Sequence, residues 1–174
     1  MMRNFLTHAR QRWYLYLPLA LIWALAAARI FIDPVPHVPL LFNVTPSLPY
    51  TVAFIERRTG VIARGDYVIY AFGGAATRHF PGLARQPFFK RVAGIEGDQV
   101  RVEGRRVLVN GIDVGQAKLF AMAGKLPLEP IEPSVIPPHY FYMQGTSPDS
   151  FDSRYRISGL VHASDVIAVV HPIF

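Results

Sequence analysis

Three short stretches of this chain carry residue types that can do nucleophilic chemistry together. The first is "NVTPSLPYTV", residues 43–52, where Ser47 lies between Pro46 and Pro49. Proline fixes its own φ and biases the residue before it toward extended conformations, so the backbone on both sides of this hydroxyl is stiff. A turn is the ordinary reading of such a stretch; a rigidly presented nucleophile is the chemical one. The second is "QPFFKRVAGIEGDQV", residues 86–100, with Lys90 next to Phe88, Phe89 and Val92. Lysine is scarce, three of the 18 basic residues. It can act as a base near neutral pH only where apolar burial disfavours the ammonium form. Its ordinary role is a surface residue whose ammonium reaches water. The third is "GTSPDSFDSRYRISG", residues 145–159. Read as a strand, it puts Ser150, Asp152 and Arg154 on one face, pairs Asp152 with Arg154 and aims the Ser150 hydroxyl at a lysine amine. Its ordinary reading is a polar turn with an ion pair.

A serine nucleophile needs a base. Histidine is usual and lysine can serve. None of the six histidines has a recognisable catalytic setting, and with no cysteine in the chain, thiol chemistry, disulfides and Cys-based zinc sites are excluded.

The elements that must position these groups read mainly as β. "DYVIYAF" (66–72) mixes aromatic and β-branched residues, and "DQVRVEGRRVLVNGIDV" (98–114) alternates apolar with polar, with turns at Glu103-Gly104 and Asn110-Gly111. Residues 139–145 and 165–174 read as two further strands, while residues 126–138, with five prolines, read as an irregular loop. No segment beyond residue 33 sustains a 3.6-residue period.

Ahead of this domain, residues 13–28 carry no charge, and the apolar character runs on to Ile32 with Arg29 as its one charge. About 20 such residues suffice to cross a bilayer as a helix. The flank 1–12 has three Arg and no acid, which by the positive-inside rule makes it cytoplasmic and the remainder external. A retained signal-anchor over 13–32 is the expectation, with a cleaved signal peptide as the competing one because "ALAAA" offers small residues in cleavage-site spacing. The net charge of +6 owes four positives to the residues before Asp33, and the remainder carries 14 basic against 12 acidic residues. Such a balance is no basis for nucleic-acid binding.

"TPSLPY", "KRVAGIEGD" and "DSFDSRYRISG", in this order behind an N-terminal apolar segment, resemble the boxes of the type I signal peptidases, the Ser-Lys proteases of peptidase family S26. The resemblance covers 46–159 and implies a mainly β, signal-peptidase-like domain, residues 33–174, behind a single transmembrane helix. It implies Ser47 as nucleophile and Lys90 as general base, an oxyanion hole from the Ser47 amide and the Thr45 hydroxyl, Ser150 orienting the lysine amine, and Asp152 with Arg154 as a supporting ion pair. No metal or cofactor is implied. The chain departs from the housekeeping enzymes in Leu48 and Pro49 after the serine, in the short "GTSPDS" run, and in Glu96 where proline is common. These departures look more like the TraF-type conjugal transfer peptidases. The implied partner is then a pilin precursor, cleaved and in some systems closed into a ring. The bacterial inner membrane with the catalytic domain facing the periplasm, and mating-pair components of a type IV secretion system, complete the setting. A general signal peptidase acting on many secreted precursors and a non-catalytic pilus-assembly protein are the alternatives.

Overall fold

The computed structural model describes residues 12–31, 39–43, 45–57, 60–121 and 126–173. The chain divides into two units, one ending at Pro39 and the other beginning at Leu40.

The first unit holds one helix, α1 (Trp13–Phe31), with Pro18 inside it and no acidic residue in its first turn. Leu21, Ile22, Trp23 and Leu25 are all exposed. Four positions this close in sequence reach around more than one side of a helix, so α1 has no single apolar stripe to set against a soluble core. Among the described residues no helix is long and apolar enough to cross a membrane. The expected cytoplasmic flank lies almost wholly outside the described residues.

The second unit is mainly β, as expected. Its strands are β1 (Leu40–Phe42), β2 (Val52–Arg57), β3 (Tyr67–Ala71), β4 (Pro87–Gly94), β5 (Gln99–Glu103), β6 (Arg106–Val109), β7 (Ile112–Gln116), β8 (Ser134–Val135), β9 (Tyr140–Gln144), β10 (Val161–His162) and β11 (Val166–Pro172). Among the described residues they form a seven-stranded sheet, β1-β2-β11-β3-β4-β9-β10, and a four-stranded one, β7-β6-β5-β8. Every pairing is antiparallel.

Alternation decides which side chains enter the core. On β11, Val166, Ala168 and Val170 are buried while Ile167 is exposed; on β5 and β6, Val100, Val107 and Val109 are buried. The β6–β7 hairpin turns on Asn110 and Gly111, both at positive φ (49° and 79°), the pair of conformations a tight hairpin requires. The β4–β5 turn is held by Asp98. Its carboxylate accepts two bonds from Arg64, one from the Ile95 amide and one from Asn110. The last residue of "KRVAGIEGD" therefore fixes the turn that carries the chain from the larger sheet to the smaller one.

Of the two readings of residues 150–158, the structure takes the polar turn, with a single bridge, over the strand, because the Asp152 side chain competes for local backbone N–H groups and holds the chain in a turn. One sequence expectation is corrected. The loop 126–138 contains the short strand β8, which pairs with β5.

Candidate functional site

Ser47 lies on the loop joining β1 to β2, the hairpin at one edge of the larger sheet. The loop is fastened on both sides of it. Leu48 is buried with Ala53, Ile69, Phe89 and Val170, while Ser47 itself is half-buried. The Ser47 carbonyl accepts from the Ser147 amide at 3.3 Å, and the Tyr50 hydroxyl meets that of Tyr67 at 3.2 Å. Asn43, at the foot of the loop, bonds both flanks. Its Oδ1 accepts from the amide and the hydroxyl of Thr45, at 3.1 and 2.9 Å, and its Nδ2 donates to the carbonyls of Tyr50 and Leu48, at 2.8 and 3.4 Å.

Lys90 stands in the middle of β4, opposite Val68 of β3. It is only 4% exposed, and its ammonium lies 5.6 Å from the centre of the Phe88 ring. That ring is in turn stacked on Phe72 at 4.7 Å. Arg91, next along the strand, is exposed, the reversal of face expected of a strand. Burial pushes the Lys90 amine down from the ordinary lysine value to about 8; the Asp152 carboxylate opposes this and the Arg154 guanidinium adds to it. Desolvation is the largest of these effects, as it must be for an amine facing aromatic carbon.

Asp152 is fully buried and Arg154 is 3% exposed. The guanidinium grips the carboxylate through Nε and Nη2, at 2.8 and 2.9 Å, and also donates to the carbonyls of Ser147 and Ser150, at 3.0 and 3.2 Å. The same carboxylate accepts the Gly145 amide at 2.8 Å and the Arg154 amide at 3.1 Å. A buried charge pair is tolerated when its remaining donors and acceptors are filled in this way. The expected ion pair is therefore formed, by a turn that folds Arg154 back. Ser153, which sequence reasoning passed over, accepts from the Met143 amide and donates to the Gly159 carbonyl, tying this turn to β9.

These pieces converge at Gly145. Arg91 faces Gln144 across β4 and β9, so one further step of that register sets Gly145 beside Lys90. A Cβ built on Gly145 would overlap the Ser150 hydroxyl and come within 2.8 Å of the Ser47 carbonyl oxygen. The Ser150 hydroxyl is buried and makes no hydrogen bond among the described residues. Neither the Ser47 hydroxyl nor the Lys90 amine forms one there either. Thr45 does, and its single hydroxyl proton is given to Asn43. A groove of about 680 Å³ opens beside this point, lined by Gln144, Gly145, Thr146 and Pro148 on one side and by Val114 and Gly115 of β7 on another.

Asn43 and Gly145 carry no catalytic residue type, and Ser153 has no place in the motifs read for chemistry, so all three were passed over. For Asn43 a local signal exists, since an Asn two residues ahead of a Thr fits the spacing at which an amide oxygen caps a backbone N–H.

Comparison with known proteins supplies a family. The family model described as "Signal peptidase, peptidase S26" matches residues 10–174. A conjugal transfer protein TraF of Agrobacterium tumefaciens (strain 15955) is 31% identical over 152 residues, covering 76% of this chain and 80% of the relative. A second, of Agrobacterium fabrum (strain C58 / ATCC 33970), is 26% identical over 145 residues with the same shares. A crystal structure of a signal peptidase I from Enterococcus faecalis V583 aligns with 64% of this chain and 98% of its own at 19% identity, with a TM-score of 0.39.

Proposed function

Because the chain belongs to the signal peptidase family, peptidase S26, we propose that it is a membrane-anchored serine endopeptidase with a Ser47–Lys90 dyad, acting on a pilin precursor in conjugation. The observation that carries the dyad is the Lys90 amine, buried without an ion pair or hydrogen bond among the described residues and pushed down to about 8. A lysine placed only for solubility is not held this way.

In the proposed reaction Ser47 Oγ attacks the scissile carbonyl while the neutral Lys90 amine takes its proton. The oxyanion that forms is met by the Ser47 N–H and the Thr45 hydroxyl. Lys90 then returns the proton to the leaving amine, giving an ester on Ser47 and a free amino terminus. Water, or the amino terminus of the substrate, resolves the ester. The Ser150 hydroxyl has a free proton and free lone pairs with which to steady the amine once substrate closes the site. Asp152 keeps Lys90 from losing all its basicity, because its charge favours the ammonium.

The conjugative substrate rests on the two TraF relatives. The anchor rests on the sequence, uncharged from residue 13 to 28 and apolar on to Ile32, close to the run of about 20 residues that a spanning helix needs. With residues 13–32 in the inner membrane and the amino-terminal arginines in the cytoplasm, the catalytic domain faces the periplasm.

The test is the intact mass of a co-expressed pilin precursor with the wild-type chain, Ser47→Ala and Lys90→Ala. A truncated product with the wild type alone upholds the dyad, and a product one water lighter than the linear chain adds ring closure. Equal cutting in all three samples removes both residues from the mechanism. An intact pilin precursor beside a processed secretory one would make the chain a general signal peptidase.

A further inference from the structure

The loop that carries Ser47 is shaped by one side chain that belongs to neither the dyad nor the buried ion pair. Asn43 bonds Thr45 on one flank of Ser47 and the carbonyls of Leu48 and Tyr50 on the other, while its backbone amide pairs with the Thr51 carbonyl at 2.8 Å. The orientation of its carboxamide follows from these partners: Nδ2 faces two carbonyls, which only accept, and Oδ1 faces an N–H, which only donates.

We propose that Asn43 is a positioning residue for the reaction at Ser47, holding the loop closed from both sides and keeping the Thr45 hydroxyl aimed until an oxyanion forms. The proposal rests on the reading of Ser47 as nucleophile and Thr45 as oxyanion donor. The Thr45 hydroxyl has one proton, and in the resting loop it is given to a neutral amide oxygen. A hydrogen bond to a full negative charge is about twice as strong as one to a neutral oxygen. As charge develops on the substrate, the hydroxyl gains by turning away from Asn43. The Thr45 backbone N–H remains bonded to Asn43 and keeps the residue in place during that turn. The stored donor therefore favours the transition state over the bound substrate, the condition for raising kcat.

An aspartate, though of the same shape, would fail at both ends. It has no donor for the Leu48 and Tyr50 carbonyls and would set a negative charge against them. On the other flank it would hold the Thr45 proton by a charge-assisted bond, in competition with the oxyanion.

The experiment compares the wild-type chain, Asn43→Ala, Asn43→Asp, Thr45→Val and the Asn43→Ala/Thr45→Val double variant. All are full-length, in detergent, with purified pilin precursor as substrate, and Thr45→Ser serves as the variant that keeps the hydroxyl. Asn43→Ala is expected to lower kcat about 10-fold with KM unchanged, and Asn43→Asp to lower it further. Thr45→Val is expected to cost on the order of 100-fold, as for a single oxyanion donor, and Thr45→Ser far less. The double variant is expected to lose less than the two penalties multiplied together, because part of the amide's effect acts through that hydroxyl. Wild-type kcat in Asn43→Ala, or penalties that multiply in the double variant, would overturn the proposal. Hydrogen exchange of residues 45–52 without substrate supplies a readout independent of cleavage. Faster exchange there in Asn43→Ala, with the remaining segments unchanged, supports the clamp, and unchanged exchange overturns it. Should the wild-type chain leave the precursor uncut, the peptidase reading falls by itself and the exchange result alone decides the clamp.

Discussion

Gly145 and Ser150 compete for one volume. The side chain that glycine lacks would lie on the Ser150 hydroxyl, with the Ser47 carbonyl oxygen 2.8 Å away. Room at this one backbone position is what lets the loop of Ser47, the turn of Ser150 and the strand of Lys90 approach one another.

Gly145→Ala is therefore expected to destabilise the domain by about 1–3 kcal/mol, the usual cost of overpacking, and to abolish cleavage. Adding Ser150→Gly removes the clashing hydroxyl and its carbon. The double variant should recover part of the lost stability in thermal unfolding, the Ser47 carbonyl oxygen remaining 2.8 Å from the new carbon, but not the activity. Equal melting temperatures for Gly145→Ala and the wild type would mean that the two groups do not share the space.

Cleavage should depend on pH through Lys90. In the proposed dyad the lysine works only as the neutral amine, so kcat/KM is expected to rise as pH increases and to level off above about 8, the value to which burial pushes the amine. Asp152→Asn removes the charge that favours the ammonium. In any fraction that folds, the midpoint should move to lower pH, and a pH–rate profile of each chain reads the difference.

The same lysine makes stability pH-dependent with an unusual sign. Its folded value, about 8, lies below the unfolded value of 10.5, so between these two the unfolded chain binds more protons and stability rises with pH. The destabilisation is complete below about 8 and relieved by 10.5. The difference corresponds to about 3 kcal/mol at most. Lys90→Met, similar in volume and uncharged, is expected to be inactive yet more stable than the wild type at pH 7, with the gap closing toward pH 10. Chemical denaturation at the two pH values checks this.

Breaking the buried pair should be severe. Arg154→Met leaves the Asp152 carboxylate uncompensated at full burial, and a loss of about 3–5 kcal/mol is expected. Replacing both, Asp152→Asn with Arg154→Met, should cost less than the single change, because no unpaired charge remains. Thermal unfolding of the three variants decides it.

The hairpins of residues 98–116 were legible because both signals agree there: apolar residues alternate, and the turn pairs Glu103-Gly104 and Asn110-Gly111 fall where the strands end. Residues 150–154 offered two readings, a strand face and a polar turn, and alternation alone did not choose between them. Ser, Asp and Arg at alternate positions fit a strand face, yet Asp152 bonds the Arg154 amide two residues on, and a local side-chain bond of this kind outweighs alternation in a segment with few apolar residues. The burial of Lys90 could be argued only from its aromatic neighbours. What seals it, the stack of Phe88 on Phe72, depends on pairing between strands that no local pattern records. Asn43 and Gly145 act by holding others in place, and such roles become visible only when the partners are known.

The strand order has a consequence for timing. Within the larger sheet, β2, which follows Ser47, and β3, which pairs with the strand of Lys90, are not neighbours; β11 lies between them and pairs with both. A nascent chain that has emerged only as far as β10 lacks the strand whose backbone pairing joins β2 to β3, and only loop and side-chain contacts, such as Leu48 on Ile69 and Phe89, bridge the two. The loop of Ser47 and the strand of Lys90 therefore gain their sheet connection only when Val166–Pro172 is synthesised and inserted. Long-range closure of this kind is slow compared with local hairpin formation.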